Sequence, residues 1–218
     1  MSKFIEIPKE FMAGIALGSE RTPNLYYSGN LLMRRVFWQR LYLLNRLIRS
    51  NAIKLELCLD FGGGGGVMLP TLARHFKLIT LLDLDVAEAR QVVQHYHLGN
   101  VEILQQDVAA TDFPAPGFDA IVAADVLEHF RELSTPVSAL HRWLSPDGLL
   151  FTSLPTENWV YVMLRKLFGV TKPIDHYHTG YEVEAYLATQ GFEKIASVSA
   201  PLYFHVAPLF LISAWRKQ

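Results

Sequence analysis

Five consecutive glycines that follow a single carboxylate are the residues of this chain whose spacing most clearly indicates chemistry. Asp60 ends an apolar run, and the glycines fill positions 62–66. Because glycine lacks a Cβ, such a run suits a turn whose backbone N–H groups approach a ligand closely. The dinucleotide fingerprint G-x-G-x-x-G would place its third glycine at Val67, Met68 or Leu69 in the three possible frames, so it is absent. The spacing that fits is acid-x-G-x-G-x-G.

Two more carboxylates stand where apolar runs end. Asp83 closes the run 79–83, and a carboxylate at the end of a second strand can accept hydrogen bonds from both hydroxyls of a ribose. Asp85 follows closely, but its charge is better suited to the start of a helix. Asp125 follows the run 118–124, at the carboxyl edge of the predicted sheet, where ligands bind in open α/β folds. Asp83 in particular indicates a nucleoside-containing ligand.

Three histidines are candidate general bases, because imidazole titrates near neutral pH; they are His129, His176 and His178. For His129 two interpretations stay open, a role near the substrate and a purely structural one. His176 and His178 are separated by one residue, which could suggest a metal site, but the sequence shows no evident third ligand. We therefore predict no metal, and we place one or both of these histidines beside the substrate.

The elements that must position these residues alternate as βαβ units, which predicts a mostly parallel sheet. Strands are predicted near 55–60, 78–83, 101–104, 118–124, 148–153, 193–200 and 207–215, and the short loop between the last two makes them antiparallel. Helices are predicted near 31–50, 66–76, 86–96, 136–144 and 157–168. A further helix begins at a capping box, Thr179-Gly180-Tyr181-Glu182, and stops at Gly191.

Local signals add three details to this scheme. Ser134 or Thr135 should cap the helix that has Pro136 in its first turn. The residues 145–148 should form the turn into the fifth strand. The helix near 31–50 should carry its basic residues on the face opposite its apolar residues.

The composition bounds the class of protein. The 218 residues are half hydrophobic and carry a formal net charge of −1, which allows a sizeable core and argues against a nucleic-acid partner. The single cysteine, Cys58, permits neither a disulfide nor a cysteine-based metal site and is expected to be a buried thiol. The sequence shows no apolar leader and no apolar window as long as a membrane span, so we predict a cytoplasmic protein without stable membrane insertion. We expect it to be a monomer or a homodimer.

Four segments follow one another in chain order: the acid-and-glycine motif, Gln106-Asp107-Val108, residues 118–129 with their acid-h-L-E-H run, and residues 143–150. Together they resemble class I S-adenosylmethionine-dependent methyltransferases, in the small-molecule branch called the type 11 or type 12 methyltransferase domain. The resemblance covers about residues 55–153 and departs from the family pattern at Gly63 and Gly65. It implies an α/β fold: a Rossmann-like, doubly wound, seven-stranded, mostly parallel sheet with an antiparallel C-terminal hairpin and helices on both faces.

The resemblance also implies a cofactor and its site. S-adenosylmethionine would be held by Asp60, Gly62, Gly64, Gly66, Asp83, Leu84, Asp107, Val108 and Asp125. Asp107 would accept from the adenine amino group, although taken alone it could equally cap a turn. The implied activity is methyl transfer to a small-molecule acceptor with S-adenosylhomocysteine as product, and a base is needed only if the acceptor must lose a proton. Two alternatives stay open: an NAD-type oxidoreductase and a non-catalytic S-adenosylmethionine-binding protein.

The organisation along the chain is predicted as one methyltransferase domain over 1–218. An N-terminal arm and helix occupy 1–50, and the arm over 14–30 is expected to be irregular because it is rich in Gly, Ser, Pro and Asn. The resemblance places an insertion over 154–191 on the substrate side. Its apolar, aromatic helix allows three interpretations: core packing, a lid over a lipophilic acceptor, or an interfacial helix at a membrane.

Overall fold

Seven strands form one sheet in the part of the chain that the structure describes. The computed structural model describes residues 4–16, 23–114, 117–167, 176–201 and 207–218. The strands are β1 (Leu57–Phe61), β2 (Leu78–Asp83), β3 (Val101–Gln105), β4 (Phe118–Ala124), β5 (Leu144–Pro155), β6 (Phe192–Ala200) and β7 (Phe210–Lys217). Their order is β3-β2-β1-β4-β5-β7-β6, and β7 runs antiparallel to both of its neighbours while the other pairs are parallel. The predicted fold is confirmed.

Helices cover both faces of this sheet. They are α1 (Lys9–Ile15), α2 (Leu31–Asn51), α3 (Leu69–Leu72), α4 (Ala87–Tyr96), α5 (Ser134–Trp143), α6 (Trp159–Leu167) and α7 (Gly180–Thr189). Successive strand residues point to opposite faces. Cys58 therefore packs with the buried residues of α2, α3 and α4, and Leu59 packs with those of α5 and α7. Two apolar cores hold the sheet rigid, so its carboxyl edge can position side chains accurately.

The predicted turn over 145–148 is wrong, because β5 already begins at Leu144. The pairing of β5 with β4 is irregular there, since the register shifts between Phe118 and Ala120. A Cβ on Gly148 would lie 2.6 Å from the carbonyl oxygen of Phe118. The glycine therefore serves a close approach of two strand backbones and not a reversal of the chain.

Two helix predictions need correction. The helix predicted over 66–76 is the four-residue α3, because Gly66 has a φ of +73° and Pro70 has no N–H to donate within a longer helix. Neither Ser134 nor Thr135 caps α5, since the helix starts at Ser134 and Leu133 occupies the cap position without a side-chain bond. The predicted helix near 157–168 is α6, and its expected last residue, Phe168, lies outside the described residues.

The predicted irregular arm over 14–30 is only partly described. It includes the end of α1 and a short 3-10 helix, Asn24–Tyr26, while residues 17–22 lie outside the described part of the chain. The arm ends at Asn30, whose side chain accepts hydrogen bonds from the N–H groups of Leu32 and Met33 and so caps α2. This cap fixes where the longest described helix begins.

Two expectations drawn from composition also concern the described residues. Cys58 is fully buried, and burial raises the pKa of its thiol well above the ordinary value, which confirms an inert buried cysteine. Within the described ranges, none of the helices combines the length and the apolar character that a bilayer crossing would demand.

The predicted capping box is confirmed, and it supports a measurable stability effect. The Thr179 hydroxyl accepts from the Glu182 N–H at 3.3 Å, and the Glu182 carboxylate accepts from the Thr179 N–H at 2.7 Å. We expect Thr179→Ala to lower the free energy of unfolding by about 1 kcal/mol. Thr189→Ala, at the other end of α7, is the matched control, because its hydroxyl donates to the Tyr186 carbonyl and accepts from the Gln190 side chain but does not cap the start of the helix. Equal losses in denaturant unfolding would contradict the assignment.

Candidate functional site

The carboxyl ends of β1, β2 and β4 meet at one edge of the sheet. β1 lies between β2 and β4, and β2 and β3 extend to one side of it while β4 and β5 extend to the other. In open α/β sheets, ligands bind in the crevice at such a switch point. The glycine turn after β1, Asp83 at the end of β2 and Asp125 after β4 all lie at this edge.

Three of the five glycines have backbone conformations that require glycine. Gly62, Gly64 and Gly66 have φ values of +65°, +49° and +73°, a region that side-chain-bearing residues rarely adopt. A Cβ on Gly62 would also overlap the side chain of Val126, which follows β4. These are the three glycines of the acid-x-G-x-G-x-G spacing, so the turn itself explains why that spacing occurs.

Gly63 has a different reason to be glycine. A Cβ at this position would lie 2.7 Å from Asp60 Oδ2 and 2.7 Å from the side chain of Leu81. The missing side chain therefore leaves room for the Asp60 carboxylate beneath the turn, which the sequence alone did not explain. Gly65 is buried and has no positive φ, and its glycine stays unexplained.

The Asp60 carboxylate is buried at the end of β1 with unsatisfied hydrogen-bonding capacity. Its Oδ2 atom has no hydrogen-bond partner among the described residues. Burial, and to a smaller extent the negative charge of Asp83, raises the pKa of Asp60 to about 7. A buried carboxyl group with an open acceptor is suited to meet a cationic or hydrogen-bond-donating ligand group.

Asp83 links the end of β2 to the glycine turn. Its Oδ2 accepts from the Gly64 N–H at 2.9 Å, and its Oδ1 accepts from the Asp85 N–H at 3.0 Å. Each carboxylate oxygen can accept more than one hydrogen bond, so the group keeps acceptor capacity for a ligand. Asp85 instead accepts from the Ala87 N–H at the start of α4, as predicted for a helix-start residue.

The structure gives the predicted adenine-side residues a local role. Asp107 is exposed and caps the short 3-10 helix Val108–Ala110 by accepting from the Ala109 N–H at 2.7 Å. This is the turn-capping alternative that the sequence left open for Asp107. Val108 is partly buried within that helix, and Leu84 is exposed after β2. Contact of these residues with an adenine ring stays a prediction.

Asp125 pairs with a residue that the sequence did not suggest. Its backbone has a φ of +52°, and its carboxylate forms an ion pair with the guanidinium of Arg40, which α2 delivers to the carboxyl edge of the sheet. Arg40 also donates to the Tyr26 hydroxyl. Burial raises the pKa of Asp125, and Arg40 opposes that rise. A cofactor role for Asp125 stays a prediction, and its carboxylate has a protein partner.

The position of Arg40 corrects the predicted arrangement of α2, since this basic residue lies on the apolar face. Its side chain is only 2% exposed. Three rings, those of Tyr26, Phe37 and Phe210, lie 5.0 to 5.4 Å from the guanidinium carbon. The helical periodicity of the sequence could have predicted that Arg40 is buried, because positions 37, 40, 41, 44 and 48 share one face of the helix. An arginine on such a face needs a buried partner.

The three predicted histidines separate into a pair and an outlier. The rings of His129 and His176 lie 4.7 Å apart between centroids, and Glu128 lies with them. The backbone N–H of Tyr177 donates to the Glu128 carbonyl at 2.9 Å, which holds the segment after residue 175 against the end of β4. His178 is not part of this group, because its Nε2 lies 3.2 Å from the Arg131 carbonyl oxygen. Glu128 was not predicted as a site residue.

Comparison with known sequences gives a family match. A family model described as a methyltransferase domain matches residues 34–197. An uncharacterized methyltransferase of Mycobacterium tuberculosis (strain H37Rv) is 30% identical over 95 residues, 44% of this chain and 48% of that protein. A ubiquinone biosynthesis O-methyltransferase of Coxiella burnetii (strain Dugway) is 31% identical over 116 residues, 49% and 47% of the two chains. The chain thus spans about half the length of these curated relatives.

Solved structures with a similar fold cover nearly the whole chain. The N-methyltransferase NodS from Bradyrhizobium japonicum, in complex with S-adenosylhomocysteine, has a TM-score of 0.65 at 18% identity and covers 95% of this chain and 98% of its own. Magnesium protoporphyrin IX methyltransferase from Synechocystis has a TM-score of 0.68 at 21% identity, with 96% and 98% covered. At these identities the similarity establishes the fold alone.

Proposed function

This chain belongs to the methyltransferase domain family, and from that premise we propose that it transfers a methyl group from S-adenosylmethionine to a small-molecule acceptor. Family membership removes the reason to keep an NAD-type oxidoreductase as an alternative, in agreement with the missing third glycine of the dinucleotide fingerprint. A non-catalytic S-adenosylmethionine-binding protein is the remaining rival, and only an assay of methyl transfer separates the two.

One observation carries the proposal: the hydrogen bond between the Gly64 N–H and Asp83 Oδ2 across the switch point. It joins a positive-φ glycine turn to a carboxylate that can accept from ribose hydroxyls. The unpartnered Oδ2 of Asp60 adds a group that a ligand ammonium would satisfy. The described residues therefore fit this cofactor, and those proposed to hold it are Asp60, Gly62, Gly64, Gly66, Asp83, Leu84, Asp107, Val108 and Asp125.

S-adenosylmethionine, when bound, supplies a methyl group on a positively charged sulfur: a lone pair of the acceptor would bond to the methyl carbon as the carbon–sulfur bond breaks in line, leaving S-adenosylhomocysteine. The residues of the chain hold and orient the reactants, which can supply much of the acceleration. Where the acceptor is a hydroxyl, a group must also take its proton. His129 and His176 are the candidates, because their rings lie together just after β4. The same segment contains Val126, whose side chain lies against Gly62 of the glycine turn. His178 is removed from this group.

We propose an acceptor with an apolar body. α6 exposes Trp159, Met163 and Leu167, which are spaced four residues apart and are 73%, 49% and 72% exposed. Because these three side chains are exposed, core packing accounts only for the opposite face of α6 among the described residues, where Val160 is buried. Relatives named for ubiquinone biosynthesis support a lipophilic acceptor, and the net charge of −1 favours a small molecule over a nucleic acid. Alkylated phenols are suitable test acceptors, because they combine a hydroxyl nucleophile with an apolar tail.

The cofactor assignment is tested at Asp83. We expect Asp83→Ala to weaken S-adenosylhomocysteine binding in calorimetry by about 1 to 3 kcal/mol, because bound hydroxyls and the Gly64 N–H both lose an acceptor. Asp85→Ala is the matched control, since it removes a carboxylate two residues away that accepts from the first N–H of α4. The affinity of this variant for S-adenosylhomocysteine should stay within about twofold of the wild-type value.

Two outcomes would contradict the proposal. Unchanged affinity in a folded Asp83→Ala variant, as judged by its thermal unfolding, would overturn the site assignment. Cofactor binding without transfer of a labelled methyl group to alkylated phenols, related amines or a broad metabolite extract would favour the non-catalytic rival.

A further inference from the structure

Glu128, His129 and His176 form a group of metal-ligating side chains at the end of β4. One candidate ligand atom from each residue lies within 4.8 Å of the others. Glu128 and His129 come from the short 3-10 helix Leu127–His129, and His176 is brought to them by the backbone bond from Tyr177 to Glu128. Two of these three ligands are therefore adjacent in sequence, and the third arrives from a distant segment.

Glu128 is the unusual member of this group. Its side chain is 0% exposed, and neither carboxylate oxygen has a hydrogen-bond partner among the described residues. Another buried glutamate shows the ordinary solution, because Glu184 accepts from Lys194 at 2.6 Å and also from Ser213. A buried carboxylate without a donor is costly, and coordination to a cation is one way to satisfy it.

Two arginines among the described residues near this group form ion pairs with other carboxylates. Arg40 pairs with Asp125, and Arg165 pairs with Glu157 at 2.8 Å. In the described part of the chain no ion pair joins Glu128 to either guanidinium. Glu128 is thus a third acidic side chain in a region that contains two paired arginines, and a bound cation would supply the partner that its carboxyl oxygens lack.

His176 is held in the manner of a metal ligand. Its Nδ1 lies 3.2 Å from Glu157 Oε1, and Glu157 is itself fixed by Arg165. A histidine that donates from Nδ1 to a carboxylate has its lone pair at Nε2, and such a carboxylate partner commonly orients metal-bound histidines. Glu157 is therefore a positioning residue, and Nε2 of His176 is left for a ligand.

We propose that Glu128, His129 and His176 bind one divalent first-row transition-metal ion, of the Zn²⁺, Mn²⁺, Fe²⁺ and Co²⁺ class. Two imidazoles and one carboxylate suit these ions, whereas Mg²⁺ and Ca²⁺ prefer oxygen ligands. With metal–ligand bonds of about 2.0 to 2.2 Å, ligand atoms on one ion are separated by at most about 4.4 Å. A separation at the upper limit of 4.8 Å exceeds this value by a few tenths of an ångström, which small side-chain rotations can close when the ion binds.

The ion would lie beside the crevice that the glycine turn borders. Val126, two residues before Glu128, contacts the position where Gly62 lacks a Cβ. Three protein ligands leave coordination positions open, and a metal-bound hydroxyl loses its proton more readily. This catalytic role rests on the proposed function and replaces the base role considered there: the ion would bind the acceptor oxygen and increase its ionised fraction, the hydroxyl proton would pass to solvent water, and His129 and His176 would serve as ligands. Binding of the ion itself does not depend on that function.

The test uses the untagged full chain, stripped with a chelator, and Co²⁺ as the probe. We expect visible absorption bands of protein-bound Co²⁺ that saturate at one ion per chain, and displacement by Zn²⁺. Glu128→Gln, His129→Ala and His176→Ala should each weaken Co²⁺ binding by at least about tenfold. His178→Ala is the matched control, because this neighbouring imidazole lies against Arg131 and should leave the Co²⁺ spectrum unchanged.

Glu128→Gln keeps the result interpretable, because it replaces a buried carboxyl group that has no hydrogen-bond partner by an amide of nearly the same volume, and the thermal unfolding of the metal-free chain should not change. Absence of saturable Co²⁺ binding, equal losses in the His178→Ala control, or tighter binding of Mg²⁺ than of Co²⁺ would overturn the proposal. Calorimetry with S-adenosylhomocysteine on the same samples separates the two proposals. Cofactor binding without Co²⁺ binding refutes the metal site alone, and Co²⁺ binding without cofactor binding refutes the proposed function alone.

Discussion

Arg40→Met is expected to lower the free energy of unfolding by about 3 kcal/mol, because it leaves the Asp125 carboxylate without its buried partner. Loss of one member of a buried ion pair typically costs about 3 to 5 kcal/mol. The lower end applies here, since the Asp125 side chain is 23% exposed and water can reach it in part. Met keeps the apolar length that packs against the rings of Phe37 and Phe210. In urea the unfolding midpoint should fall by about 1 M or more.

Two variants control this experiment. Arg46→Met makes the same substitution on an exposed position of α2 and should change the free energy of unfolding by less than about 0.5 kcal/mol. The double variant Arg40→Met with Asp125→Asn removes both charges and should recover at least half of the loss, because the cost comes mainly from an uncompensated carboxylate. If the double variant is as unstable as the single one, packing and not charge explains the effect.

The strands and the capping box could be predicted because their signals are local. β2 and β4 have the predicted bounds, since each is an apolar run that ends at an acid or a small residue. The capping box is likewise formed by four consecutive residues, so its signal is local. The helix predicted over 66–76 was wrong because its apolar pattern continues through Gly66 and Pro70, whose backbone limits override periodicity.

The arrangement of the site could be predicted only in part, because much of it depends on contacts between distant segments. Arg40 and Asp125 are separated in sequence by the four strands β1 to β4, and no local pattern identifies the partner. His176 meets Glu128 only because residues 177 and 178 reach the end of β4. Gly63 is explained by the volume of the Asp60 carboxylate, which becomes visible only after folding. The carboxylates that end strands were predictable, whereas their partners were not.

Asp60→Asn is expected to remove a pH dependence of stability that the wild-type chain owes to one buried acid. The pKa of Asp60 is about 7 in the folded chain against an ordinary value of 3.8, so the folded state binds this proton more tightly than the unfolded state. Stability therefore falls as the pH rises from about 4 to about 7, and the penalty is complete above the folded pKa. Between about pH 5 and pH 8 the wild type should lose about 3 kcal/mol through Asp60.

The pH dependence of the free energy of unfolding, compared between Asp60→Asn and the wild type, is more informative than the stability at any one pH. Asn at this position leaves a buried amide with one open partner, which costs about 1 to 3 kcal/mol but does so at every pH. We therefore expect the free energy of unfolding of Asp60→Asn, minus that of the wild type, to rise by about 3 kcal/mol from about pH 5 to pH 8. Asp147→Asn, which changes an exposed acid, should show no such rise. Parallel curves for Asp60→Asn and wild type would contradict the raised pKa.

The same proton links Asp60 to the ligand. If the ammonium group of S-adenosylhomocysteine satisfies the open Oδ2 of Asp60, binding favours the ionised carboxylate, so affinity must rise as the pH increases through about 7. From the ionised fractions we expect wild-type binding to be about five- to tenfold weaker at about pH 6.0 than at about pH 7.5. Asp60→Asn has no proton to release, so its weaker affinity should be nearly constant over this range, whereas Asp147→Asn should follow the wild type. A pH dependence that survives in Asp60→Asn would assign the linked proton to another group and separate the buried acid from cofactor recognition.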